Sequence, residues 1–482
     1  MSRAMDPKAI VTSSCQRLFD VAQLASLLAE DAHARSRLGV PPYSMKMVRY
    51  WPQGSPQIKA LQVEWSIQNS SGTTHSLFGQ QSLGGEISQS WRHRKANKAE
   101  RDAYQGINPG VFWMSEDDAL VIHSPECDGS LTQLATCLSA QAMEPRLNAF
   151  GFHASAGAGS LACRLAGYRA NRRAAIRYCF DSPSAPGTAL LGKTFRDMRG
   201  RELIRRHMLV SGALRKICGT RVRVPASVGF DPELQLAIFF WMNGASLESI
   251  PRGHERWLES TVDALAAIHE LSIDDLPIFK ATDEAAIVRR WNEAIRQIAP
   301  EMHVLTGKTA ETLSQLSSDI RSRHLRTIHR DFYEKQVVVA DDGVTVLDLD
   351  TLSVGDPAVD IGNLLAHLYL NSVYDPSKLA ESARQSAAFL DCWECRCGPV
   401  DRKSLKFFTA SALFRLGAVH ALRSQSGSLA SLLWRAATQI SDGAPDAMET
   451  VLAAEGNRWR HDDLPGGPEK MSDHQRSRRL AG

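Results

Sequence analysis

Residues 327–367 carry the side chains best equipped for chemistry. An apolar stretch ends in His329, Arg330 and Asp331, and Gln336 follows five residues after Asp331. Two Val-rich runs, 337–340 and 344–347, flank Asp341-Asp342-Gly343, and the second run delivers Asp348 and Asp350. Asp-Gly between two such runs signals a β-hairpin. That hairpin places acids at the mouths of its strands, with the Asp331 carboxylate near a pair of oxygen ligands, Gln336 and Asp348. Phosphoryl transfer uses such a set: a carboxylate orients the attacking hydroxyl, and oxygen ligands hold the magnesium that bridges the nucleotide phosphates. The plain alternative is an unrelated hairpin with chance acids.

The stretch resembles the aminoglycoside phosphotransferase family of kinase-fold enzymes. That family's pattern is His-x-Asp-x-x-x-x-Asn, a short hairpin, an apolar residue with Asp, and then Gly-Asp-Pro-Ala-x-Asp. The counterparts are His329, Asp331, Gln336, Asp348 and the run from Gly355 to Asp360. One position departs: the family's Asn is Gln336, which keeps the amide oxygen on a longer stem. The resemblance implies that Asp331 orients the acceptor hydroxyl and takes its proton late in the transfer. It implies that Asp348 is the principal Mg2+ ligand, with Gln336 beside it. Asp350 reads either as a further ligand or as a turn cap. Asp356 and Asp360 read as structural, and His329 and Arg330 as braces of the loop. The implied donor is ATP or GTP, and the implied acceptor is a hydroxyl of a sugar, an aminoglycoside-like compound or another metabolite. The rival of another class is a catalytically silent nucleotide-binding or scaffold protein, suggested by Gln336.

Two rival phosphate chemistries are weaker. His-Arg-Asp is also a protein-kinase triplet, but the short gap between Asp348 and Asp356 leaves no room for an activation segment. Residues 187–194 match the Gly-x-x-x-x-Gly-Lys-Thr phosphate loop. Their apolar middle reads as a strand, whereas such a loop leaves a strand and opens a helix. Lys193 has a phosphate role in either reading; Thr194 binds magnesium only in the phosphate-loop reading.

In the kinase-like reading Lys193 sits on a strand of a small β-rich lobe and meets the nucleotide's α- and β-phosphates. Glu202, the acid of the following helix, is its expected partner. The phosphate-covering loop is Arg169 to Arg173, with Arg169 and Arg172 as cations in place of glycines. The hinge against the base falls at Phe240 to Gly244, through the backbone of Trp241, Met242 and Asn243.

The elements that must position these residues follow from periodicity. The expected fold is α+β: a protein-kinase-like two-lobe fold preceded by a β-rich N-terminal cap. Boundaries fall at 1–44 (helical segment), 45–150 (cap), 151–245 (small lobe), 246–455 (helical large lobe with the hairpin) and 456–482 (polar, disordered tail). The cap reads as a degenerate copy of the small lobe. Residues 115–131 parallel 231–247, each with acids at a turn, an apolar strand and a link ending in Ser-Leu, and 76–81 parallel 189–194. Gln80 then stands where the second copy has Lys193, so the first copy lacks the phosphate-binding cation.

Composition bounds the rest. The 482 residues are 43% apolar and 23% charged, an ordinary globular balance. A net charge of +3 gives no argument for nucleic acid or a membrane surface. No apolar leader or membrane-length run is visible, so the expected location is the cytoplasm. Nine scattered cysteines read as reduced thiols. The Cys392, Cys395, Cys397 cluster lacks a fourth ligand and reads as helical rather than metal-binding.

Overall fold

The computed structural model describes residues 18, 20–53, 59–84, 86–87, 89, 91–92, 110–152, 161–180, 189–251, 255–298, 300–322, 324–423 and 427–443. The tail expected at 456–482 and most of the polar stretch 88–108 lie outside the described residues. The described chain forms two compact units: residues 18–205 with 227–241, and residues 206–226 with 242–443.

The first unit opens with two helices, α1 (Val21–Glu30) and α2 (Ala32–Leu38). The sequence periodicity suggests one helix here. Asp31 divides it, because it takes an extended conformation and its carboxylate accepts the N–H of Ala34, starting a new helix. Strands β1 (Ser44–Gln53), β2 (Ala60–Gln68), β3 (Thr74–Ser82), β4 (Phe112–Ser115) and β5 (Leu120–His123) form a sheet in the order β1-β2-β3-β5-β4. Helices α3 (Leu134–Leu138) and α4 (Ala140–Ala149) follow. They are short, and α4 carries Pro145 inside it, so neither leaves a clear helical period in the sequence.

Strands β6 (Leu161–Arg169), β7 (Arg173–Phe180), β8 (Ala189–Phe195), β10 (Ser227–Asp231) and β11 (Leu236–Phe240) make the second sheet, in the order β10-β11-β8-β7-β6. Read from its first strand, the second sheet has the same order as the first, and every neighbouring pair in both is antiparallel. The registers match as well. Gln62 pairs with Gln80 as Ala175 pairs with Lys193, and Gln80 pairs with Val121 as Lys193 pairs with Ala237. The turn before the last strand holds one non-glycine residue at positive φ in each copy, Ala119 and Gln235, both at 47°. Gly79 and Gly192 stand at equivalent points: a Cβ on the first would run into the Trp65 ring, and on the second into the Tyr178 ring. Both rings are fully buried. The parallel read from sequence therefore extends to strand order, pairing and packing. One core joins the two sheets: Phe78, Leu134, Cys137 and Leu147 pack with Tyr168, Ile176, Tyr178 and Ile238.

Helix α5 (Arg199–Cys218) begins in the first unit and continues into the second, which also holds strand β9 (Val222–Arg223). The second unit is mainly helical: α6 (Glu255–His269), α7 (Ala281–Ile298), α8 (Pro300–Ser317), α9 (Ala358–Tyr374), α10 (Leu379–Cys397), α11 (Arg402–Arg423) and α12 (Gly427–Ser441). Its strands are β12 (Ala245–Ser246), β13 (Ile278–Phe279), β14 (Arg326–Ile328), β15 (Val337–Ala340), β16 (Gly343–Val346) and β17 (Ser353–Gly355). β15 and β16 are the expected hairpin, flanked in the sheet by β12 and β9, while β14 pairs with β17 beside β13. The mixed α+β architecture, with β-rich and helical parts, is the one expected for a kinase-like fold. Among the described residues no helix is long and apolar enough to cross a membrane.

Candidate active site

Strand β14 ends in a buried frame. His329 N–H donates to one carboxylate oxygen of Asp360 at 2.7 Å, and Arg330 N–H donates to the other at 2.6 Å. The His269 ring nitrogen Nε2 lies 3.0 Å from the same carboxylate, and neither side chain reaches solvent. Arg330 takes a left-handed backbone, φ 70°, which turns the chain sharply before Asp331. Its guanidinium lies 3.8 Å over the Phe279 ring, and burial lowers its pKa below the usual arginine range. Two short bonds to a fully buried carboxylate fix a turn that the local sequence alone would not hold.

Leu347 ties this turn to the hairpin. Its carbonyl accepts from Nε2 of His329 at 2.7 Å, and its N–H donates to the Gln336 carbonyl at 2.8 Å. The other His329 nitrogen, Nδ1, accepts the N–H of Asp331 at 3.3 Å, so the neutral tautomer carries its proton on Nε2. Thr351 Oγ1 donates to the His329 carbonyl at 2.8 Å. Asp331, Gln336 and Asp348 are thus each within a residue or two of one hydrogen-bonded knot. All three, and Asp350, are half-buried. Asp348 has φ 56°, a left-handed conformation that an aspartate tolerates better than a branched residue. Asp350 sits in the short 3-10 turn Leu349–Thr351, whose Leu349 and Asp350 carbonyls accept from Arg206 at 3.1 and 3.0 Å. Asp356 accepts from Ala358 N–H and Ser322 Oγ, which closes the loop into α9.

Further support comes from residues without a visible motif. Asn363 Nδ2 donates to the Phe332 carbonyl and in turn accepts from Arg415, whose Nε also reaches Glu284 at 2.7 Å. Glu334, buried, accepts from Trp257 Nε1 and Asn371 Nδ2. Tyr333 stacks on His367 at 4.2 Å, and burial followed by the charges of Arg415, Lys335 and His420 lowers the His367 pKa to about 3. None of these could be found from spacing, because their partners lie 31 to 131 residues away. A recess of about 510 Å³, lined by Ala245, Ile250, Arg256 and Val339 among others, lies at the turn end of the hairpin, away from Gln336 and Asp348.

The β-rich unit holds the other candidates. Lys193 is half-buried on β8, paired with Ala175 and Ala237. Glu202 is exposed, and Arg205 engages its carboxylate at 2.8 and 2.9 Å. Arg169 and Arg172 flank the β6–β7 turn, with Arg172 N–H donating to the Arg169 carbonyl. Desolvation, then the charges of Arg173, Arg199 and Arg196, lower the Arg172 pKa. Of that cluster, Arg199 is engaged by Asp197 at 2.7 Å. Trp241 donates its N–H to the Ala189 carbonyl and lies under Arg177 at 4.3 Å. Met242 is half-buried and Asn243 exposed, and the chain passes from one unit to the other between Trp241 and Met242. Thr194 is wholly buried: it donates to the Leu234 carbonyl and accepts from Gln133. Residues 189–195 are thus sheet interior, which removes the strand-to-helix loop that the phosphate-loop reading requires.

The oxygen donors Asp348 and Gln336 suit a hard divalent cation such as magnesium, which takes one or two carboxylates and completes its shell with water and phosphate. Among the described residues no three His, Cys, Asp or Glu side chains cluster as a metal site. Cys392, Cys395 and Cys397 lie on α10, the first two exposed.

Residues 204–398 match the model of the phosphotransferase enzyme family. That is the family the motif stretch resembles. The match takes in α5 from residue 204 on, the hairpin and the frame around Asp360. No curated protein matched the chain. Similar solved structures include a type I macrolide 2'-phosphotransferase, at 17% identity and TM-score 0.41, covering 62% of this chain and 97% of that one. A spectinomycin phosphotransferase in complex with ADP and spectinomycin matches at 13% and 0.41, covering 66% and 98%. A choline/ethanolamine kinase family protein from Mesorhizobium loti matches at 12% and 0.41, covering 64% and 98%.

Proposed function

We propose that this chain transfers the γ-phosphoryl group of a nucleoside triphosphate, ATP or GTP, to a hydroxyl of a small molecule. The observation that carries the reading is the Asp331 carboxylate, presented at the end of β14 by a turn that Asp360 holds from beneath and Leu347 ties to the hairpin of Gln336 and Asp348. Asp331 orients the acceptor hydroxyl and receives its proton. Asp348 and Gln336 would hold magnesium, which when bound neutralises phosphate charge; Asp350 is the further candidate ligand. On the β-rich unit, Lys193 and the cations around Arg172 meet the nucleotide phosphates. Glu202 is retained as the candidate anchor of Lys193. The backbone from Trp241 to Asn243 receives the base.

Purified protein screened against hydroxyl-bearing metabolites for magnesium-dependent nucleotide consumption tests the proposal. Asp331→Ala is expected to lower turnover by roughly 10²- to 10⁴-fold while leaving nucleotide affinity within a few-fold. An Asp331→Ala protein with full activity would sink the assignment. The second reading, a catalytically silent nucleotide binder, is favoured by Gln336 in place of the family's Asn. It predicts metal-dependent binding with no hydrolysis or transfer.

A further inference from the structure

The β6–β7 turn contains no glycine between Arg169 and Arg173. A glycine-rich loop covers phosphates with free backbone N–H groups. Here the turn is held from the side by the N-terminal copy. Asp128, with no exposed surface, accepts hydrogen bonds on both carboxylate oxygens. Two come from its own link, from the N–H groups of Ser130 and Leu131, at 2.7 and 3.0 Å. Two come from the turn: Tyr168 OH at 2.6 Å and Asn171 N–H at 2.6 Å. Asn171 is the turn's left-handed residue, φ 60°. Its side-chain amide donates to Gln80 Oε1 at 2.7 Å, and Trp91 Nε1 reaches the same oxygen at 3.3 Å. Ala170, beside it, is 1% exposed.

Gln80 occupies the register position of Lys193 in the first copy. A lysine has no acceptor and could not receive the Asn171 and Trp91 donors. The residue that leaves the first copy without a cation at this position is therefore also the one that bonds it to the second copy. Gln133 adds a contact one residue beyond Lys193, donating to Thr194 Oγ1 at 2.8 Å and to the Phe195 carbonyl at 2.7 Å.

We infer that the N-terminal sheet is a lysine-less copy of the nucleotide lobe that serves as a fixed brace, with Asp128 and Gln80 as positioning residues for the Arg169–Arg173 turn. The inference rests on the proposed function for the role of that turn. Because Asp128 takes the Asn171 N–H, that amide is not offered to a phosphate. Contacts from the turn to a nucleotide therefore come from the side chains of Arg172 and its neighbours, and their aim depends on the brace. Asp128 and Gln80 act through the turn and touch no phosphate themselves.

The test uses the full chain and two readouts. Hydrogen exchange without nucleotide is expected to show a protected Asn171 amide in the parent protein. Asp128→Asn and Gln80→Leu are expected to release the 168–173 amides while β8 and β11 keep their protection. Gln80→Glu, which retains the acceptor, is expected to restore it. In turnover, both disruptive variants are expected to raise KM for the nucleotide about tenfold with kcat changed less, since each removes an acceptor that the turn's donors use. Unchanged exchange in folded variants overturns the brace, as does a loss of protection spread evenly over the whole unit. Unchanged nucleotide KM alongside a released turn overturns its link to the nucleotide. If the parent protein binds no nucleotide, the proposed function fails and the link to nucleotide with it, while exchange still decides whether the turn is braced.

Discussion

The carboxylate of Asp360 receives the backbone N–H of His329 at 2.7 Å from a helix thirty-one residues further along the chain. With the Arg330 N–H on its second oxygen and His269 at 3.0 Å, Asp360 is satisfied at zero exposure and fixes the turn that presents Asp331. Asp360→Ala leaves two amides and an imidazole without their acceptor. It is expected to lower stability by roughly 3–5 kcal/mol, the range for breaking one partner of a buried charged network. Urea denaturation measures this; a loss under about 1 kcal/mol would show that the turn is held by other contacts.

Gln336 differs only in length from the Asn of the family that the stretch resembles. If its amide oxygen ligates the metal, Gln336→Asn keeps or raises turnover. Gln336→Leu then loses about tenfold or more in magnesium affinity. Titrating magnesium against nucleotide consumption distinguishes the two. An unaffected leucine variant hands the coordination position to water or to Asp350.

Thr194 and Asp348 separate the kinase-like reading from a phosphate loop. Thr194→Val removes a buried hydroxyl that serves Leu234 and Gln133. It is expected to cost about 1–3 kcal/mol in stability with magnesium-dependent nucleotide binding intact. Asp348→Ala is expected to do the reverse. Loss of metal-dependent binding in a folded Thr194→Val protein, as large as for Asp348→Ala, revives the phosphate loop.

His367 is expected to make the helical unit acid-sensitive. Its native pKa of about 3 lies below the ordinary value of 6.5, so between those limits the unfolded chain binds the extra proton. The neutral ring's stability contribution is complete above about pH 6.5 and is lost as pH falls toward 3, at up to ~1.4 kcal/mol per pH unit. Denaturation midpoints between pH 7.5 and 4.5 are expected to fall less in His367→Phe, which keeps a ring beside Tyr333. Equal slopes in parent and variant would assign the acid sensitivity elsewhere.

Much of this protein is legible in the residues. Val runs around Asp-Gly determine the hairpin, because pairing across a tight turn is local. The helical character of the second unit shows in its apolar period. The parallel between the two β-rich stretches shows because acidic turns, apolar strands and links ending in Ser-Leu recur in order and spacing along the chain. The sequence also carries Gln80 in place of Lys193, but not what Gln80 touches.

Tertiary structure decides the contacts between distant residues. Asp128 meets Asn171 only because two sheets share one core, and nothing in their sequence separation encodes that meeting. Thr194 fits a magnesium ligand on paper and proves to be sheet interior, since burial is set by neighbouring strands. Glu202 lies exposed with Arg205 on its carboxylate one helical turn away, a pairing that residue type alone does not give. Short-range geometry follows from side-chain period and backbone preference. Which polar group a buried carboxylate satisfies depends on how whole elements pack, and that is fixed only when the chain closes on itself.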